Sequence, residues 1–149
     1  MCGICGFVDF SSKRRGDDIR KNIFRMSDAL AHRGPDDSGV WIDQNIGIAF
    51  GHRRLSIVDL SPAGHQPMKS RSERYVISLN GEVYNFPEIR KKLEAEGNCV
   101  WRGHSDTEVI LEAIDRWGMA AALKSFNGMF AFALFDQLKR RLYLVRDRL

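Results

Sequence analysis

The sequence predicts an α+β domain in which antiparallel sheets are covered by helices. Short apolar and β-branched runs outnumber the amphipathic helical segments. Turn-forming residues separate neighbouring runs, and strands and helices do not alternate regularly along the chain. A length of 149 residues suits one domain with a substantial core.

The composition excludes several classes of protein. Hydrophobic residues make up 44% and charged residues 28% of the chain, which is ordinary globular usage and excludes disorder and collagen. No apolar run approaches the roughly 20 residues of a membrane span, and the N-terminus lacks the basic start of a signal peptide. The net charge of +4 is mild and the basic patches are short. We therefore expect a cytoplasmic protein whose partners include neither nucleic acid nor a membrane.

The first half of the chain predicts strands around one helix. Ile4 to Phe10 predicts a buried strand, and apolar residues at helical spacing predict an amphipathic helix over Asp17 to Ala31. His32 to Gly39 is rich in turn formers and predicts a loop. A hairpin over Val40 to Phe50 and a short strand over Leu55 to Leu60 follow.

The second half begins with a predicted strand over Tyr75 to Leu79. Asn80-Gly81 is a hairpin-turn signal that leads into a return strand. Pro87 to Glu96 predicts a helix with proline at its start and glycine after its end. Ser105 to Glu108 has the pattern of a capping box, which predicts the start of another helix.

The chain closes on two apolar segments, Met129 to Phe135 and Leu142 to Val145, which predict a buried antiparallel hairpin. The sequence stops at Leu149, inside or just after a strand and without a polar tail. We therefore expect a fragment whose remaining edge strands are missing.

The position of Cys2 indicates a nucleophile. Only Met1 precedes it, and removal of that Met, which a small second residue favours, would leave a thiol and a free α-amine on one residue. A free cysteine thiol has a pKa of about 8.5 and an α-amine a pKa of about 8. Part of the amine is thus unprotonated at neutral pH and can take the thiol proton, so that one residue supplies both nucleophile and base.

Two other interpretations of Cys2 stay open at this stage. One is an inert residue at a chain end. The other is a C-x-x-C motif with Cys5, although redox motifs of this spacing normally open a helix and this one leads into a strand. A zinc site needs two further ligands, and Cys99 and His104 lack the usual spacing. We therefore expect no metal site.

Three further segments carry groups that suit an α-amino acid substrate. Arg54 can bind a carboxylate through two hydrogen bonds, although a structural salt bridge explains it equally well. Asn80 and Gly81 offer a side-chain amide and a bare N–H, the donor pair of an oxyanion hole, although a turn alone also accounts for them. Glu82 and Asp106 can receive an ammonium group, although the helix dipole already favours an acid at Asp106.

Seven short motifs, taken together, resemble a known family. They are Met1 to Gly6, His32 to Asp36, Arg54 to Asp59, Gln66-Pro67, Asn80 to Asn85, Ser105 to Glu108 and Gly128 to Ala133. In this order they resemble the glutaminase domain of glutamine-hydrolysing asparagine synthetases, which are class II amidotransferases with an N-terminal nucleophile. The resemblance covers essentially the whole chain. The third and fifth of these motifs along the chain, Arg54 to Asp59 and Asn80 to Asn85, favour this type over relatives that make glucosamine phosphate or phosphoribosylamine.

The resemblance implies a fold and a set of site residues. The fold would be a four-layer α-β-β-α sandwich of antiparallel sheets, with residues 1–149 as an incomplete glutaminase domain and the synthetase domain absent. Cys2 would be the nucleophile, and Asn80 and Gly81 would form the oxyanion hole. Arg54 would hold the α-carboxylate of glutamine, and Glu82 and Asp106 its ammonium group. The implied pocket wall consists of Leu55, Ser56, Ile57 and Val58, with the loop from Arg33 to Asp36 beside it.

The implied activity is hydrolysis of glutamine to glutamate and ammonia through a Cys2 thioester. The ammonia would go to an ATP-dependent synthetase domain, in the same polypeptide or a partner chain, for asparagine synthesis from aspartate. No cofactor is implied for the glutaminase reaction, whereas ATP and Mg²⁺ belong to the missing synthetase domain. A homodimer is left open. So are a non-enzymatic interaction module of glutaminase-like fold and an amidotransferase for a different acceptor carboxylate.

Overall fold

The computed structural model describes residues 2–10, 16–57 and 61–148 of the chain. The elements of its first part are β1 (Gly3–Val8), α1 (Gly16–Ala29), β2 (Asp37–Asp43) and β3 (Ile48–Arg54). Those of its second part are β4 (Met68–Lys69), β5 (Tyr75–Val83), α2 (Phe86–Glu96), α3 (Asp106–Trp117), α4 (Met119–Ser125), β6 (Gly128–Asp136) and β7 (Arg141–Arg146). Short 3-10 turns occupy Ala31–Arg33 and Pro62–Gly64.

The described strands form two antiparallel sheets that pack face to face. One sheet has the order β1-β3-β2 and the other β4-β5-β6-β7. Helix α1 packs against the first sheet, α3 packs against the second, and α2 and α4 pack against α3. The sheets meet where β5 contacts β1 and β3. The layers run helix, sheet, sheet, helix, which confirms the predicted fold class.

Buried apolar side chains fill each space between the layers. Ile110 and Leu134 belong to the cluster between the second sheet and its helices. Phe50 and Phe135 belong to the cluster between the two sheets, and Ile23 joins α1 to the first sheet. Because apolar burial dominates the stability of a domain, these three clusters fix the arrangement of the layers.

The prediction of a hairpin turn at Asn80-Gly81 is wrong. Both residues lie inside β5, where they pair with Ala131 and Phe130 of β6. Gly81 has a φ of +122°, and a Cβ added to it would lie 2.1 Å from the carbonyl oxygen of Met129. The glycine therefore permits close approach of two strands, a use of strand glycine that its sequence context does not distinguish from a turn.

The predicted strand over Leu55 to Leu60 is wrong in its described part, because β3 ends before it. The N–H of Leu55 donates to the sulfur of Cys2, and the N–H of Ser56 donates to the Asp36 carboxylate. Side chains thus take the place that a neighbouring strand would have. The last three residues of the segment lie outside the described residues.

The remaining differences concern the edges of elements. Strand β2 begins at Asp37, inside the predicted loop, and β4 and α4 have no counterpart in the prediction. Strand β7, predicted as buried, is an edge strand on which Leu144 is 77% exposed. The side chain of Ser105 accepts a hydrogen bond from the N–H of Glu108, which confirms the predicted start of α3. None of the described helices combines the length and hydrophobicity needed to cross a bilayer.

The packing of β6 can be tested with two leucine truncations. Leu134 is 0% exposed and Leu138 is 76% exposed. We expect Leu134→Ala to lower the free energy of unfolding by about 2–5 kcal/mol, because the cavity it leaves is surrounded by core side chains. Leu138→Ala should change it by less than about 0.5 kcal/mol. Urea denaturation followed by circular dichroism measures both, and equal losses would contradict the burial of Leu134.

Candidate active site

A pocket of about 240 Å³ lies where the N-terminus, the end of β3 and the last part of β5 meet. Ligand pockets for drug-sized molecules usually measure roughly 300–1,000 Å³, so this volume suits a ligand the size of an amino acid. Most of the site residues predicted from the sequence line it, namely Cys2, Arg54, Leu55, Ile57, Asn80, Gly81, Glu82 and Asp106.

Two predicted site residues are not among those lining the pocket. Ser56 instead lines a second, more open cavity that Arg54 also borders. The prediction for Val58 falls outside the described residues. The wall expected from the four residues after Arg54 is therefore formed, in the described structure, by Leu55 and Ile57.

The sulfur of Cys2 lies against the backbone at the end of β3. The N–H of Leu55 donates to it at 3.4 Å, and the thiol donates to the carbonyl oxygen of Leu55 at 3.7 Å. On the other side, the Nε of Arg33 donates to the carbonyl oxygen of Cys2 at 3.2 Å. These contacts hold the thiol in the pocket.

The guanidinium group of Arg54 is buried, with 8% of the residue exposed. Its Nη1 donates to the carbonyl oxygen of Ser61 at 3.0 Å, and the N–H of Asp36 donates to the carbonyl oxygen of Arg54 at 3.0 Å. A Cβ added to Gly64 would lie 1.9 Å from Nη2 of Arg54. Only glycine at position 64 leaves room for the guanidinium group in this place.

The edge of β5 beside the pocket presents backbone groups outward. The N–H of Leu79 donates to Oε1 of Gln66 at 2.7 Å, and the N–H of Val83 donates to Oδ2 of Asp106 at 3.0 Å. Successive residues of a strand direct their N–H groups to opposite sides, so alternate residues share a side. The N–H of Gly81, midway between Leu79 and Val83, is therefore directed to the same edge, where the pocket lies.

The polar groups around this edge are unusual for their burial. No described residue donates to the buried Oδ1 of Asn80, although buried polar atoms are normally paired. Asp106 is 6% exposed, and burial raises the pKa of its carboxyl group, with a further increase from the nearby Glu82 carboxylate. The hydrogen bond from Val83 N–H opposes this shift in the pKa. A cation bound beside the carboxylates of Asp106 and Glu82 would oppose this rise in the pKa of Asp106.

The described residues do not form a cluster of metal ligands. Within residues 2–10, 16–57 and 61–148, no group of three or more His, Cys, Asp or Glu side chains is arranged to hold a metal ion.

Sequence reasoning missed several residues around the pocket. Gln66 and Thr107 lie in its wall, and His52 lies behind it, where its Nε2 contacts the carbonyl oxygen of Leu79 at 2.9 Å. Gln66 belongs to the Gln66-Pro67 motif, which by itself indicates no role for it. A histidine inside an apolar strand and a glycine such as Gly64 carry no local signal, because their roles depend on residues distant in sequence.

The burial of His52 predicts a dependence of stability on pH. Burial lowers the pKa of His52 from 6.5 to about 4. Between these values the unfolded chain binds more protons, so the stability contributed by neutral His52 is lost as the pH falls from about 6.5 to about 4. At 1.36 kcal/mol per pKa unit, the loss is about 3 kcal/mol. We expect His52→Gln to remove this part of the acid destabilisation in urea titrations at pH 7 and pH 4.5.

The matched control for that measurement is His32→Gln, since His32 is exposed. It should lose stability with falling pH as the unsubstituted chain does. An identical pH dependence for the His52 and His32 variants would contradict a buried, neutral His52.

The chain is similar to parts of larger proteins. A family model described as a glutamine amidotransferase domain matches residues 1–149. Glutamine-hydrolyzing asparagine synthetase 3 of Bacillus subtilis is 42% identical, over 100% of this chain and 24% of its own length. A putative glutamine-hydrolyzing asparagine synthetase 2 of Methanocaldococcus jannaschii is 38% identical, over 100% of this chain and 30% of its own length. The chain thus spans roughly a quarter of the length of these curated relatives.

A solved structure supports the fold. Glutamine phosphoribosylpyrophosphate amidotransferase of Bacillus subtilis superposes with a TM-score of 0.63 at 21% sequence identity, over 91% of this chain and 35% of the other. At this identity the likeness shows the fold alone, and it agrees with the helix, sheet, sheet, helix layers. With the family match over residues 1–149, the comparisons show that this chain belongs to the glutamine amidotransferase domain family.

Proposed function

We propose that this chain hydrolyses glutamine to glutamate and ammonia, with Cys2 as the nucleophile. The observation that carries the proposal is the convergence of a thiol, a buried arginine, two carboxylates and a strand edge on one pocket of amino-acid size. Each group matches one part of glutamine. The arginine suits the α-carboxylate, the carboxylates suit the α-ammonium, and the thiol suits the side-chain carbonyl.

Glutamine would be bound through its α-carboxylate and its α-ammonium group. Arg54 would receive the α-carboxylate, because a guanidinium group that is already buried and held by Ser61 loses little freedom on binding. Glu82 and Asp106 would receive the α-ammonium group. The Asp106 carboxylate accepts from Val83 N–H and from the Thr107 hydroxyl, and a carboxylate has about four acceptor sites, so capacity for a ligand remains.

The chemical step requires that Met1 be removed. The free α-amine of Cys2 would then take the thiol proton, and the thiolate would attack the side-chain amide carbon. The resulting oxyanion would be bound by the N–H of Gly81 and the side-chain amide of Asn80. The protonated amine would return its proton to the departing nitrogen, releasing ammonia and leaving a γ-glutamyl thioester on Cys2. Water would then add to the thioester carbonyl, releasing glutamate and the thiol.

The fate of the ammonia is proposed from the relatives' names. Their glutamine-hydrolyzing asparagine synthetase activity indicates a synthetase domain as the partner, with aspartate as the acceptor. ATP and Mg²⁺ would serve that domain, and we propose no cofactor for glutamine hydrolysis. A cytoplasmic location and a homodimer stay predictions from the sequence, and the names of the relatives mention neither. A different acceptor is the alternative, and Amidase chry2 of Gibberella zeae, 34% identical over 99% of this chain and 23% of its own length, shows that relatives bear other names.

Covalent labelling tests the proposed nucleophile. We expect a diazo-ketone analogue of glutamine to add once to the purified chain, at Cys2, with loss of Met1 in the intact mass. Excess glutamine should slow the labelling, and Cys2→Ala should abolish it. A processed chain that stays unlabelled, or an adduct that persists in Cys2→Ala, would contradict the proposal.

Gly64→Ala tests the role given to Arg54. The added methyl would displace the guanidinium group. Because the α-carboxylate is bound equally before and during the reaction, we expect KM for glutamine to rise at least about tenfold with a smaller change in kcat. A coupled glutamate assay measures both constants.

Gly118→Ala is the control for that substitution. Gly118 has a φ of +77° and open space around it. Its replacement should lower the thermal midpoint through backbone strain without raising KM. If the two variants raise KM equally, Arg54 is not the carboxylate ligand.

A further inference from the structure

The backbone of Leu79 is held from two directions by buried polar side chains. The Nε2 of His52 donates to its carbonyl oxygen at 2.9 Å, and Oε1 of Gln66 accepts from its N–H at 2.7 Å. His52 is 1% exposed and Gln66 is 6% exposed. His52 comes from the other sheet and Gln66 from the loop before β4, so three separate parts of the chain meet at Leu79.

These two side chains replace a missing neighbour of β5. Strand β4 pairs with β5 only at Ile77 and Val76. In the described part of the chain no strand pairs with this side of β5 beyond Ile77. The backbone of Leu79 is the first to face that open side, and buried backbone groups without a partner are strongly destabilising. Polar side chains are therefore required here, whatever their further role.

The position of His52 and Gln66 also affects the orientation of the residues that follow Leu79. The carbonyl group of Leu79 belongs to the same peptide unit as the N–H of Asn80, so its orientation sets the direction from which Asn80 and Gly81 continue. At the far end of this segment, Asp106 accepts from the N–H of Val83. The proposed oxyanion donors thus lie between two fixed points, one at Leu79 and one at Val83.

Gln66 also connects these two fixed points. Its Nε2 donates to Oγ1 of Thr107 at 3.3 Å, and the Thr107 hydroxyl donates to Oδ1 of Asp106 at 3.4 Å. One chain of hydrogen bonds therefore joins the oxyanion segment to a carboxylate proposed to bind the ammonium group. Glutamine is the side chain that can accept at one end and donate at the other.

The charge and the tautomer of His52 both suit a lasting hydrogen bond to the carbonyl oxygen of Leu79. A carbonyl oxygen only accepts, so Nε2 carries the proton, and no described residue forms a hydrogen bond with the buried Nδ1. The charged or titratable groups that act on the ring are Asp37, Arg54 and His65. Burial outweighs their combined influence and lowers the pKa of His52 to about 4, so the neutral Nε2–H form persists through the physiological pH range.

We propose that His52 and Gln66 are positioning residues that hold the Leu79 backbone so that Asn80 and Gly81 present their donors to the oxyanion. This inference rests on the proposed glutaminase function. Neither side chain would touch the reacting atoms.

The test compares two substitutions of His52 in the purified chain. His52→Phe keeps a flat ring but removes the donor to Leu79, whereas the Nε2 of glutamine in His52→Gln can occupy the place of the histidine Nε2. We expect kcat for glutamine hydrolysis to fall about 10–100-fold in His52→Phe, with KM changed less than about threefold, because loss of a whole oxyanion donor lowers kcat by about 10²–10³. His52→Gln should recover most of the rate. Labelling of Cys2 by the diazo-ketone analogue counts the active sites, so that rates refer to folded protein.

Gln66→Met provides a second variant if His52→Phe does not fold, and the same fall in kcat at nearly constant KM is expected. A variant-free readout is the ¹⁵N spectrum of His52, which should show Nε2–H and a bare Nδ1 at pH 7. Wild-type kcat in both His52→Phe and Gln66→Met, equal losses in His52→Phe and His52→Gln, or an Nδ1–H tautomer would each overturn the inference. If the unsubstituted chain labels at Cys2 but hydrolyses no glutamine, the proposed function fails, and the positioning role fails with it.

Discussion

Beyond Ile77, the outer side of β5 has no neighbouring strand in the described structure, and its backbone groups must find partners elsewhere. Leu79 is satisfied by Gln66 and His52, and Val83 by Asp106. Because N–H groups alternate along a strand, we infer that the N–H of Gly81 is directed to the same side, and Gly81 lines the pocket. A ligand oxygen placed there would complete the pattern of a strand edge, which is the position that we propose for the oxyanion.

The remaining groups are arranged around this edge by packing between layers. The sheets meet through β1, β3 and β5, which brings the residue before β1 and the residues after β3 to the same place. Cys2 therefore lies on the backbone of Leu55, although 53 residues separate them. Burial of Arg54 beside Gly64 then sets a cation within the same pocket.

Most of the residues that the ordered motifs imply for the site line one pocket, whereas the local structure predicted around Asn80 and Leu55 is wrong. The sequence predicts a turn at Asn80-Gly81 because the close approach of β6, which requires glycine at position 81, is a tertiary contact. The contacts of His52 and Gln66 are not predictable from the sequence for the same reason. Their partner is the backbone of Leu79, a strand residue that carries no local signal. The resemblance implies that Ser56 belongs to the pocket wall, but its N–H donates to the Asp36 carboxylate and it lines another cavity.

A structure of the Cys2→Ala chain with bound glutamine is the most direct test of this account. We predict that the side-chain carbonyl oxygen of glutamine accepts hydrogen bonds from Gly81 N–H and the Asn80 amide, at about 2.7–3.1 Å. Its α-carboxylate should lie on Arg54. Glutamine bound in another cavity, or bound here with its carbonyl oxygen directed away from the edge of β5, would contradict the account.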